Sequence, residues 1–304
     1  MAVYYLSDIN KRSANEDSFL DIEYRVNHEA TVHAMTVADG MGGLSGGKQY
    51  ANNAVRLFHE GLLRLIMGEE FKDSPLERQM ELLQDFCGQI FQQINQELYM
   101  NGLNAGMKGG TTLTAAIHFW DSWIIGNCGD SPAYVLKDGQ ISLVSEIQNA
   151  AWELVRHGKT REGSLVFHQN KARLLQYLGR RLRVLPHITR LADEEVDLLL
   201  MGTDGAFGNL DRNQITEIIS GEKEKQDILG RLFERAREGG EEDNQTALMF
   251  CTDRPDYYQG PEAGEFEEND IEEALPGIYV ELDDHRLPLK ERLRSYLHKG
   301  GKSG

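Results

Sequence analysis

Residues 31–43 read TVHAMTVADGMGG, an apolar run that ends in an aspartate followed by glycines. Its alternating and β-branched residues predict a strand over Thr31–Ala38. By itself, a strand that ends in Asp-Gly is typical of a turn whose aspartate bonds to nearby backbone N–H groups. The pattern recurs, however, because two other apolar runs lead into an aspartate beside a glycine, at Cys128-Gly129-Asp130 and at Met201-Gly202-Thr203-Asp204-Gly205.

The recurring aspartates predict a metal site. Antiparallel strands that emerge at one edge would gather Asp39, Asp130 and Asp204, and the glycines would let a ligand approach the backbone closely. Crowded ionised carboxylates repel and raise one another's pKa unless cations neutralise them. Oxygen ligands without a His or Cys cluster favour Mg²⁺ or Mn²⁺ over zinc. We therefore expect a two-metal hydrolytic site that activates a water for attack on phosphorus.

The rest of the first 252 residues combines pairs of strands with pairs of helices. Apolar residues at helical spacing predict long helices around residues 51–65 and 82–98, and two more at about 212–220 and 225–238. Lys137-Asp138-Gly139-Gln140 predicts a hairpin, because Asp-Gly supplies the positive φ angles of a two-residue turn. This organisation favours an α+β layered fold over a parallel sheet. The other predicted strands are Val3–Ile9, Phe19–Arg25, Thr112–Trp120, Ser122–Cys128, Ala133–Lys137, Gln140–Val144, Val196–Gly202 and Thr246–Thr252.

Composition narrows the class of protein. The 304 residues include 32 Lys and Arg against 49 Asp and Glu, a net charge of −17. This charge excludes a generic nucleic-acid binder, because phosphate backbones are bound by clustered cations. The first thirty residues are too charged for a signal peptide, and no apolar run approaches the ~20 residues that span a bilayer. We expect a cytoplasmic protein with no membrane span, whose three cysteines are buried thiols.

The composition changes after Thr252. Residues 253–284 include 12 acidic residues and one basic residue, whereas residues 285–304 include six basic and one acidic. The acidic half is expected to be largely flexible, with Ile278-Tyr279-Val280 able to pair as an edge strand. Leucines between Leu287 and Leu297 would form one face of a short basic helix. The tail is therefore either an inert linker or a segment that docks on a partner or on the catalytic domain.

Six short motifs occur in order along about residues 1–252: Arg12-Ser13-Ala14-Asn15-Glu16-Asp17-Ser18-Phe19, Ala38-Asp39-Gly40-Met41-Gly42-Gly43, Gly110-Thr111-Thr112, Gly129-Asp130-Ser131, Thr203-Asp204-Gly205 and Asp243-Asn244-Gln245-Thr246. Their order resembles that in metal-dependent protein phosphatases of type 2C, above all in the bacterial branch. The complete set is specific, although no single motif is. The resemblance implies a four-layer α/β/β/α sandwich of two antiparallel sheets flanked by helical pairs, with hydrolysis of phosphoserine and phosphothreonine in proteins.

The resemblance also implies metal ligands. Asp39 matches the carboxylate that bridges both ions, and Gly40 offers its backbone carbonyl to one of them. Glu16 matches a ligand of that same ion, partly through water. Asp204 and Asp243 match the ligands of the other ion. The implied cofactors are two Mn²⁺ or Mg²⁺ ions, with a third in some bacterial members.

Three more residues are implied around these ligands. Asp17 matches a carboxylate that orders metal-bound water. Arg12 matches a phosphate-binding arginine, whose planar guanidinium suits two phosphoryl oxygens, although by itself it is typical of an exposed surface arginine. Asp130, together with Asp204, resembles the weaker third metal site.

The sequence departs from the family at three places. Met41 stands where animal members often have a histidine, so water is expected to protonate the leaving group. Pro132 replaces a usual arginine, which removes a charge and a backbone donor near the third site. Residues 145–185 match the flap beside the site, but residues 145–149 lack the aspartate that commonly begins it. The basic flap residues are either solvated loop charges or a cationic rim that attracts acidic phosphoprotein segments: Arg156, Lys159, Arg161, Lys171, Arg173, Arg180, Arg181 and Arg183.

The sequence leaves two functions open. An active metal-dependent serine/threonine protein phosphatase is favoured, because the matched arginine and all four matched carboxylate ligands are present. The alternative is a regulatory module that binds phosphoprotein without efficient turnover, motivated by Pro132 and the altered flap. A two-metal nuclease is disfavoured by the charge and by the order of the motifs. The expected partners are phosphorylated protein substrates and a cognate Ser/Thr kinase.

Overall fold

The computed structural model describes residues 2–26, 30–42, 46–208, 210–222 and 224–252, together with the backbone of residues 278–280. The acidic half of the tail other than 278–280, and the predicted basic helix, lie outside the described residues. The strands are β1 (Ala2–Asp8), β2 (Ser18–Arg25), β3 (Thr31–Ala38), β4 (Gly40–Met41), β5 (Gly110–Thr111), β6 (Leu113–Phe119), β7 (Ser122–Cys128), β8 (Ala133–Lys137), β9 (Gln140–Leu143), β10 (His187–Ala192), β11 (Leu198–Gly202), β12 (Gln245–Cys251) and β13 (Ile278–Val280). The helices are α1 (Gly46–Ile66), α2 (Glu69–Asp73), α3 (Leu76–Ala105), α4 (Ala150–Arg156), α5 (Leu165–Asn170), α6 (Asp204–Phe207), α7 (Arg212–Gly221) and α8 (Lys225–Glu238).

Two large sheets form the centre of the molecule. One has the strand order β1-β12-β11-β8-β9, and the other has the order β10-β7-β6-β3-β2-β13. The described pairings in both sheets are antiparallel except that of β13, which runs parallel to β2. Strands β4 and β5 form a separate two-stranded sheet.

Helices cover the outer face of each sheet. Helices α1 and α3 pack on the six-stranded sheet, where Phe58 and Phe91 are fully buried against Ile117. Helices α7 and α8 pack on the five-stranded sheet through residues such as Phe233. A third apolar cluster, which includes Trp123, lies between the sheets. These layers confirm the α+β, four-layer α/β/β/α sandwich.

Strands in the middle of this sandwich are buried on both faces. Strands β6, β7, β11 and β12 are buried along their whole length, because one face meets the other sheet and the other face meets a helix. Their sequences are therefore continuous apolar or small-residue runs with little alternation. The two-residue turn between β8 and β9 has φ of 50° at Asp138 and 73° at Gly139, which confirms the predicted hairpin.

The nine strands and four helices predicted in residues 1–252 are present, and Ile278–Val280 pairs at a sheet edge as expected. The sequence analysis missed β4, β5, β10, α2, α4, α5 and α6. Strand β10 is half-buried except at the exposed Arg190, without an alternating pattern, and most of the missed elements are short. Short, evenly exposed segments carry little periodic signal.

The connectivity gives the sandwich two distinct ends. Strand β2 begins directly after Asp17, while β3, β7 and β11 end next to Asp39, Asp130 and Asp204. We call this the carboxylate end. The turn after β6, at Trp120 and Asp121, belongs to the opposite end, which we call the distal end. Within the described ranges, no helix is long and apolar enough to cross a bilayer.

Candidate metal centre

Asp39 is fixed by its backbone at the point where β3 leaves the sheet. Its N–H donates to Thr112 Oγ1 at 2.9 Å, and its carbonyl accepts from Thr112 N at 2.9 Å and from Thr111 Oγ1 at 2.9 Å. The Thr112 hydroxyl is in turn 2.7 Å from Ser131 Oγ. These contacts fix the main chain of Asp39 and thereby fix the position of its side chain at the carboxylate end.

Glu16 and Gly40 place two oxygens against Gly47, in the first turn of α1. A Cβ added to Gly47 would lie 2.7 Å from both Glu16 Oε1 and the Gly40 carbonyl oxygen. Within the part of the chain that the structure describes, Glu16 Oε1 is buried without a hydrogen-bond partner. A buried carboxylate oxygen without a partner costs free energy unless a cation or donor meets it. This pair of oxygens therefore suits a hard cation.

The Asn244 side chain ties the segment before β2 to the segment before β12. Its Nδ2 donates to the carbonyls of Ile9 and Ala14, each at 3.0 Å, and its Oδ1 accepts from Glu16 N at 2.9 Å. Asn244 thus positions Glu16 relative to Asp243, which is its own chain neighbour. The sequence analysis quoted Asn244 within a motif but gave it no role.

Asp17 is buried beneath the other carboxylates, with 2% of its surface exposed. Its Oδ2 accepts from Thr203 Oγ1 at 2.9 Å, and the neighbouring Thr246 side chain also lowers the pKa of the carboxyl. Burial, followed by the nearby charges of Asp204 and Asp243, raises the pKa of Asp17 to about 7 in spite of these two effects. The protein thus keeps a carboxyl in a place that disfavours its charge.

Asp39 and Asp204 meet across the centre. Each of these carboxyls acts on the pKa of the other, so the two side chains lie close together. Burial is the main cause that raises the pKa of both groups, and for Asp39 the charges of Asp17 and then Asp204 add to it. Neighbouring buried carboxyls whose pKa is raised mark a position where a divalent cation would stabilise their charged forms.

Asp130 lies beside this pair and is 6% exposed. Burial and then the charge of Asp204 raise its pKa to about 7, while a hydrogen bond from Asn149 Nδ2 at 3.3 Å opposes the shift. Lys171, which belongs to the flap, lowers the pKa of both Asp130 and Asp204. Its ammonium group therefore lies within electrostatic range of both carboxyls. Its Nζ donates to the Gly208 carbonyl at 2.7 Å.

The carboxylates surround a common space without converging on a single point. Among the residues that the structure describes, no three His, Cys, Asp or Glu side chains approach closely enough to form a ready-made ligand set. Repulsion between ionised carboxylates opposes closer approach, and a cation between them would remove it. The oxygen-only donors, the Glu16 oxygen without a partner among the described residues, and the raised pKa of Asp39 and Asp204 all fit Mg²⁺ or Mn²⁺.

Arg12 lies at the rim of this centre. Its Nη2 is 2.6 Å from Asp243 Oδ2, in a pair whose side chains are 57% and 37% exposed. The neighbouring Lys11 pairs with Glu242 at 2.9 Å, and Asn10 Nδ2 donates to the Asp243 carbonyl at 2.9 Å. The loop between β1 and β2 is therefore clamped onto the loop that precedes β12.

The flap residues, 145–185, are anchored beside the centre at both ends. Gln148 N donates to the Gly129 carbonyl at 3.0 Å, and Leu178 pairs with Thr111. Arg156 lies between Glu146 and Glu153, and Arg180 donates to the Leu175 carbonyl. The exposed basic residues that remain from the predicted rim are Lys159, Arg161, Arg173, Arg181 and Arg183.

The structure thus brings the predicted carboxylates, Gly40 and Arg12 to one end of the sandwich. Sequence reasoning missed the supporting roles of Asn244, Thr112, Asn149 and Gly47. The first two stand inside quoted motifs, which was the available signal. Gly47 matters only because it has no side chain, and a search of the sequence for chemically reactive side chains does not detect such a role.

Comparison with known proteins is consistent with this geometry. The Protein phosphatase 2C family matches residues 6–248. The serine/threonine phosphatase stp of Listeria welshimeri is 28% identical over 241 residues, which cover 78% of this chain and 90% of the relative. The serine/threonine protein phosphatase PstP of Mycobacterium tuberculosis is 26% identical over 239 residues, covering 77% of this chain and 44% of that protein. The structure of phosphatase Stp1 from Staphylococcus aureus superposes with a TM-score of 0.70 at 23% identity, over 83% of this chain and 95% of that one.

Proposed function

The chain belongs to the protein phosphatase 2C family, and from this premise we propose that it is a metal-dependent protein serine/threonine phosphatase. Its substrates are phosphoserine and phosphothreonine residues in proteins. The observation that carries the proposal is the buried carboxylate centre, in which Glu16 Oε1 has no hydrogen-bond partner among the described residues and burial raises the pKa of both Asp39 and Asp204. Such a centre is costly to maintain unless cations complete it.

In this proposal, two Mn²⁺ or Mg²⁺ ions are held by the predicted ligands. Glu16, Asp39 and the Gly40 carbonyl would hold one ion, and Asp39, Asp204 and Asp243 would hold the other. When bound, the ions supply a water of lowered pKa and stabilise negative charge on the phosphoryl group. The convergence of the Glu16 and Gly40 oxygens on Gly47 supports the first ligand set.

The other residues of the centre bind and orient the reactants. Arg12 offers a planar fork for two phosphoryl oxygens at the rim. Asp17, held by Thr203 and Thr246, is placed to accept hydrogen bonds from water within the centre. Met41 provides no proton, so the serine or threonine leaving group takes its proton from solvent. Asp17 and Arg12 therefore orient reactants and do not transfer protons to the leaving group.

A third ion at Asp130 and Asp204 is part of the proposal. The positive charge of Lys171 already acts on both carboxyls, so a third ion would compete with this lysine. Pro132, which replaces the usual arginine, contributes its carbonyl to Gly202 N at 3.2 Å and leaves Asp130 hydrogen-bonded to Asn149. We therefore expect weaker occupancy at this position than at the other two.

The proposed partners are phosphoproteins and a cognate Ser/Thr kinase that phosphorylates them. The five exposed basic residues of the flap favour phosphosites with acidic neighbours. Matched phosphopeptides with acidic or neutral flanks would measure this preference through kcat/KM at two salt concentrations. Equal values at low salt would contradict a substrate role for the flap charges. A cytoplasmic location stays a prediction from the sequence.

The decisive experiment is turnover of a phosphopeptide panel by the full chain. We expect hydrolysis with Mn²⁺ or Mg²⁺, none after chelation, and loss of activity in Asp39→Asn. Asp138→Asn, a substitution of the same kind in an exposed turn of the distal end, serves as the control. Turnover that persists in chelator would overturn the proposal. Tight phosphopeptide binding without turnover at saturating Mn²⁺ would instead support the alternative, a phosphatase-like regulatory module.

A further inference from the structure

Residues 179–185, at the end of the flap, form neither helix nor strand, but hydrogen bonds hold their main chain in place. Asn95 of α3 is buried, and its Oδ1 accepts from the backbone N–H groups of Gly179 at 2.9 Å and Arg180 at 3.0 Å. Its Nδ2 donates to the Leu182 carbonyl at 3.1 Å. One side chain thus fixes the first half of this stretch, and we call residues 179–185 the anchored segment.

The second half of the anchored segment is fixed in the same way. Val184 is buried against the core beneath α3, and its N–H donates to Gln92 Oε1 at 3.0 Å. Leu185 N donates to Gln176 Oε1 at 3.3 Å, and the Leu185 carbonyl accepts from Gln148 Nε2 at 2.9 Å. Local opening is easiest where a main chain has few such bonds, so we expect this segment to keep one conformation.

The anchored segment starts beside the metal centre. Leu178, the residue before it, exchanges two backbone hydrogen bonds with Thr111, at 2.8 and 3.1 Å. Thr111 Oγ1 in turn donates to the Asp39 carbonyl at 2.9 Å. The paired Cα atoms of Thr111 and Leu178 are about 5.5 Å apart, and three residues from Leu178 to Arg181 span at most about 11 Å. Arg181 is therefore within about 17 Å of Thr111, which five residues of an extended peptide can span.

The side chains of the anchored segment are exposed although its main chain is fixed. Leu182 is 62% exposed and Leu185 is 63% exposed, values that only Leu165 exceeds among the large apolar residues that the structure describes. Arg181 and Arg183 are also exposed. Within the described part of the chain, neither guanidinium forms an ion pair or a hydrogen bond. A ligand that binds these side chains does not have to order the main chain, so little conformational entropy is lost.

We infer that the anchored segment is a docking surface for an acidic and apolar stretch of the phosphoprotein substrate, within about five residues of the phosphorylated residue. This inference rests on the proposed phosphatase activity and adds to it a fixed position for substrate recognition. A substrate peptide is the occupant that fits, because the surface is continuous with the metal centre through Leu178 and its charge is opposite to that of an acidic peptide.

The surface lies on one side of the centre. Arg12 is clamped to the loop that precedes β12, a strand of the five-stranded sheet. Asn95 belongs to α3, which packs on the six-stranded sheet. A peptide whose phosphoryl group contacts Arg12 therefore reaches the anchored segment with the residues on one side of the phosphorylated residue and not with those on the other.

A positional scan of phosphopeptides tests this surface with the full chain and Mn²⁺. Each peptide carries one phosphothreonine in a neutral background, and a Glu-Leu pair is moved from eight positions before the phosphothreonine to eight positions after it. Each kcat/KM is divided by that of the same protein for p-nitrophenyl phosphate, which has no peptide. We expect one maximum, on one side and within five residues of the phosphothreonine, about tenfold above the peptide without the pair.

Variants of the anchored segment test the contacts. Arg181→Gln/Arg183→Gln should remove the preference for glutamate, and Leu182→Ser should remove the preference for leucine. Arg183→Glu should favour a lysine in place of the glutamate at the same peptide position, which a direct contact explains and a general field does not.

Two charge-matched pairs serve as controls. Arg231→Gln/Arg235→Gln removes two exposed charges from α8, on the outer face of the other sheet, and should keep the wild-type profile. Lys159→Gln/Arg161→Gln removes two charges elsewhere in the flap. This pair should lower the values for all acidic peptides without moving the maximum, because its charges attract the substrate without fixing its position.

Each other outcome overturns the inference. A flat profile, or equal maxima on both sides, would show that no fixed surface is read, although the phosphatase activity would stand. A maximum that persists in Arg181→Gln/Arg183→Gln, or that is lost equally in Lys159→Gln/Arg161→Gln, would assign the preference to other residues. The absence of hydrolysis for every phosphopeptide would overturn the proposed function, and this inference with it.

Discussion

Arg12 Nη2 lies 2.6 Å from Asp243 Oδ2, so the guanidinium expected to bind phosphate is held by a carboxylate expected to bind metal. A cation on Asp243 competes with Arg12 for the same carboxylate. Metal binding would therefore release Arg12 towards a phosphoryl group, and the protein should bind metal before phosphate. The salt bridge is half-exposed and screened by water, so it presents only a small barrier to this exchange.

Arg12→Lys should weaken catalysis because a lysine cannot contact two phosphoryl oxygens in one plane. We expect kcat/KM on a phosphopeptide to fall roughly tenfold to a hundredfold, in line with about 1.5–3 kcal/mol for a charged hydrogen bond. Lys11→Arg is the control, because Lys11 pairs with Glu242 on the exposed side of the loop. Equal losses in the two variants would contradict a phosphate-binding role for Arg12.

Gly47→Ala should disturb the metal centre, since its Cβ would lie 2.7 Å from both Glu16 Oε1 and the Gly40 carbonyl. We expect at least a tenfold rise in the Mn²⁺ dissociation constant, measured by calorimetry. Gly46→Ala is a matched control in the same helical turn, because its Cβ would have only an ordinary contact, 3.5 Å from the Lys108 carbonyl. Similar Mn²⁺ affinities for the two variants would remove Glu16 and Gly40 from the ligand set.

Asp39→Asn should separate stability from function. In the presence of chelator, the variant no longer buries a carboxyl whose pKa is raised by burial and by neighbouring carboxylates, so we expect a higher Tm than for the wild type. An increase of about 2–4 °C would correspond to about 1 kcal/mol in a domain of this size. Mn²⁺ should then raise the Tm of the wild type but not that of the variant. A lower Tm in chelator would contradict this account.

The buried His59 should make the stability of the fold depend on pH. Its ring is buried between the Tyr24 hydroxyl at 2.8 Å and Thr36 Oγ1 at 3.0 Å, and burial lowers its pKa to about 3. In the unfolded chain its pKa is about 6.5, so between these values only the unfolded state binds the proton. The contribution of His59 to the free energy of unfolding should therefore fall by up to about 1.4 kcal/mol for each unit that the pH drops below about 6.5, whereas the raised pKa values of Asp17 and Asp130 act in the opposite direction.

The control for this pH dependence is a matched pair of substitutions. His59→Gln should reduce the slope of unfolding free energy against pH, measured by urea unfolding between pH 6.5 and 5. His157→Gln removes an exposed histidine and should keep the wild-type slope. An unchanged slope in His59→Gln would mean that His59 does not contribute to the pH dependence of the unfolding free energy.

The extent to which this centre could be predicted depended on how each residue acts. Asp39, Asp130 and Asp204 were found because strands that end in an aspartate at one sheet edge must converge, which is a consequence of topology. Asn244 acts through three backbone partners, all of them more than 200 positions away, and no local pattern contains that information.

Local pattern also limited the prediction of the fold. The amphipathic helices of the sandwich were identified because burial on one face leaves a period in the sequence, and the central strands because burial on both faces leaves a continuous apolar run. Helices α4 and α5 are only seven and six residues long and lie in a segment expected to be a flap. The partial burial of their side chains depends on tertiary contacts, so these two helices show no detectable periodicity of apolar residues in the sequence.

The pairing of β1 with β12 has a consequence for synthesis. Residues 2–8 can pair in the sheet only after residues 245–251 have been synthesised. Asn244 then joins the same two regions at the metal centre. A growing chain on the ribosome therefore has no complete centre until almost the whole catalytic region has emerged. We therefore expect any truncation before β12 to be inactive, since it lacks both a central strand and the residue that fixes Glu16.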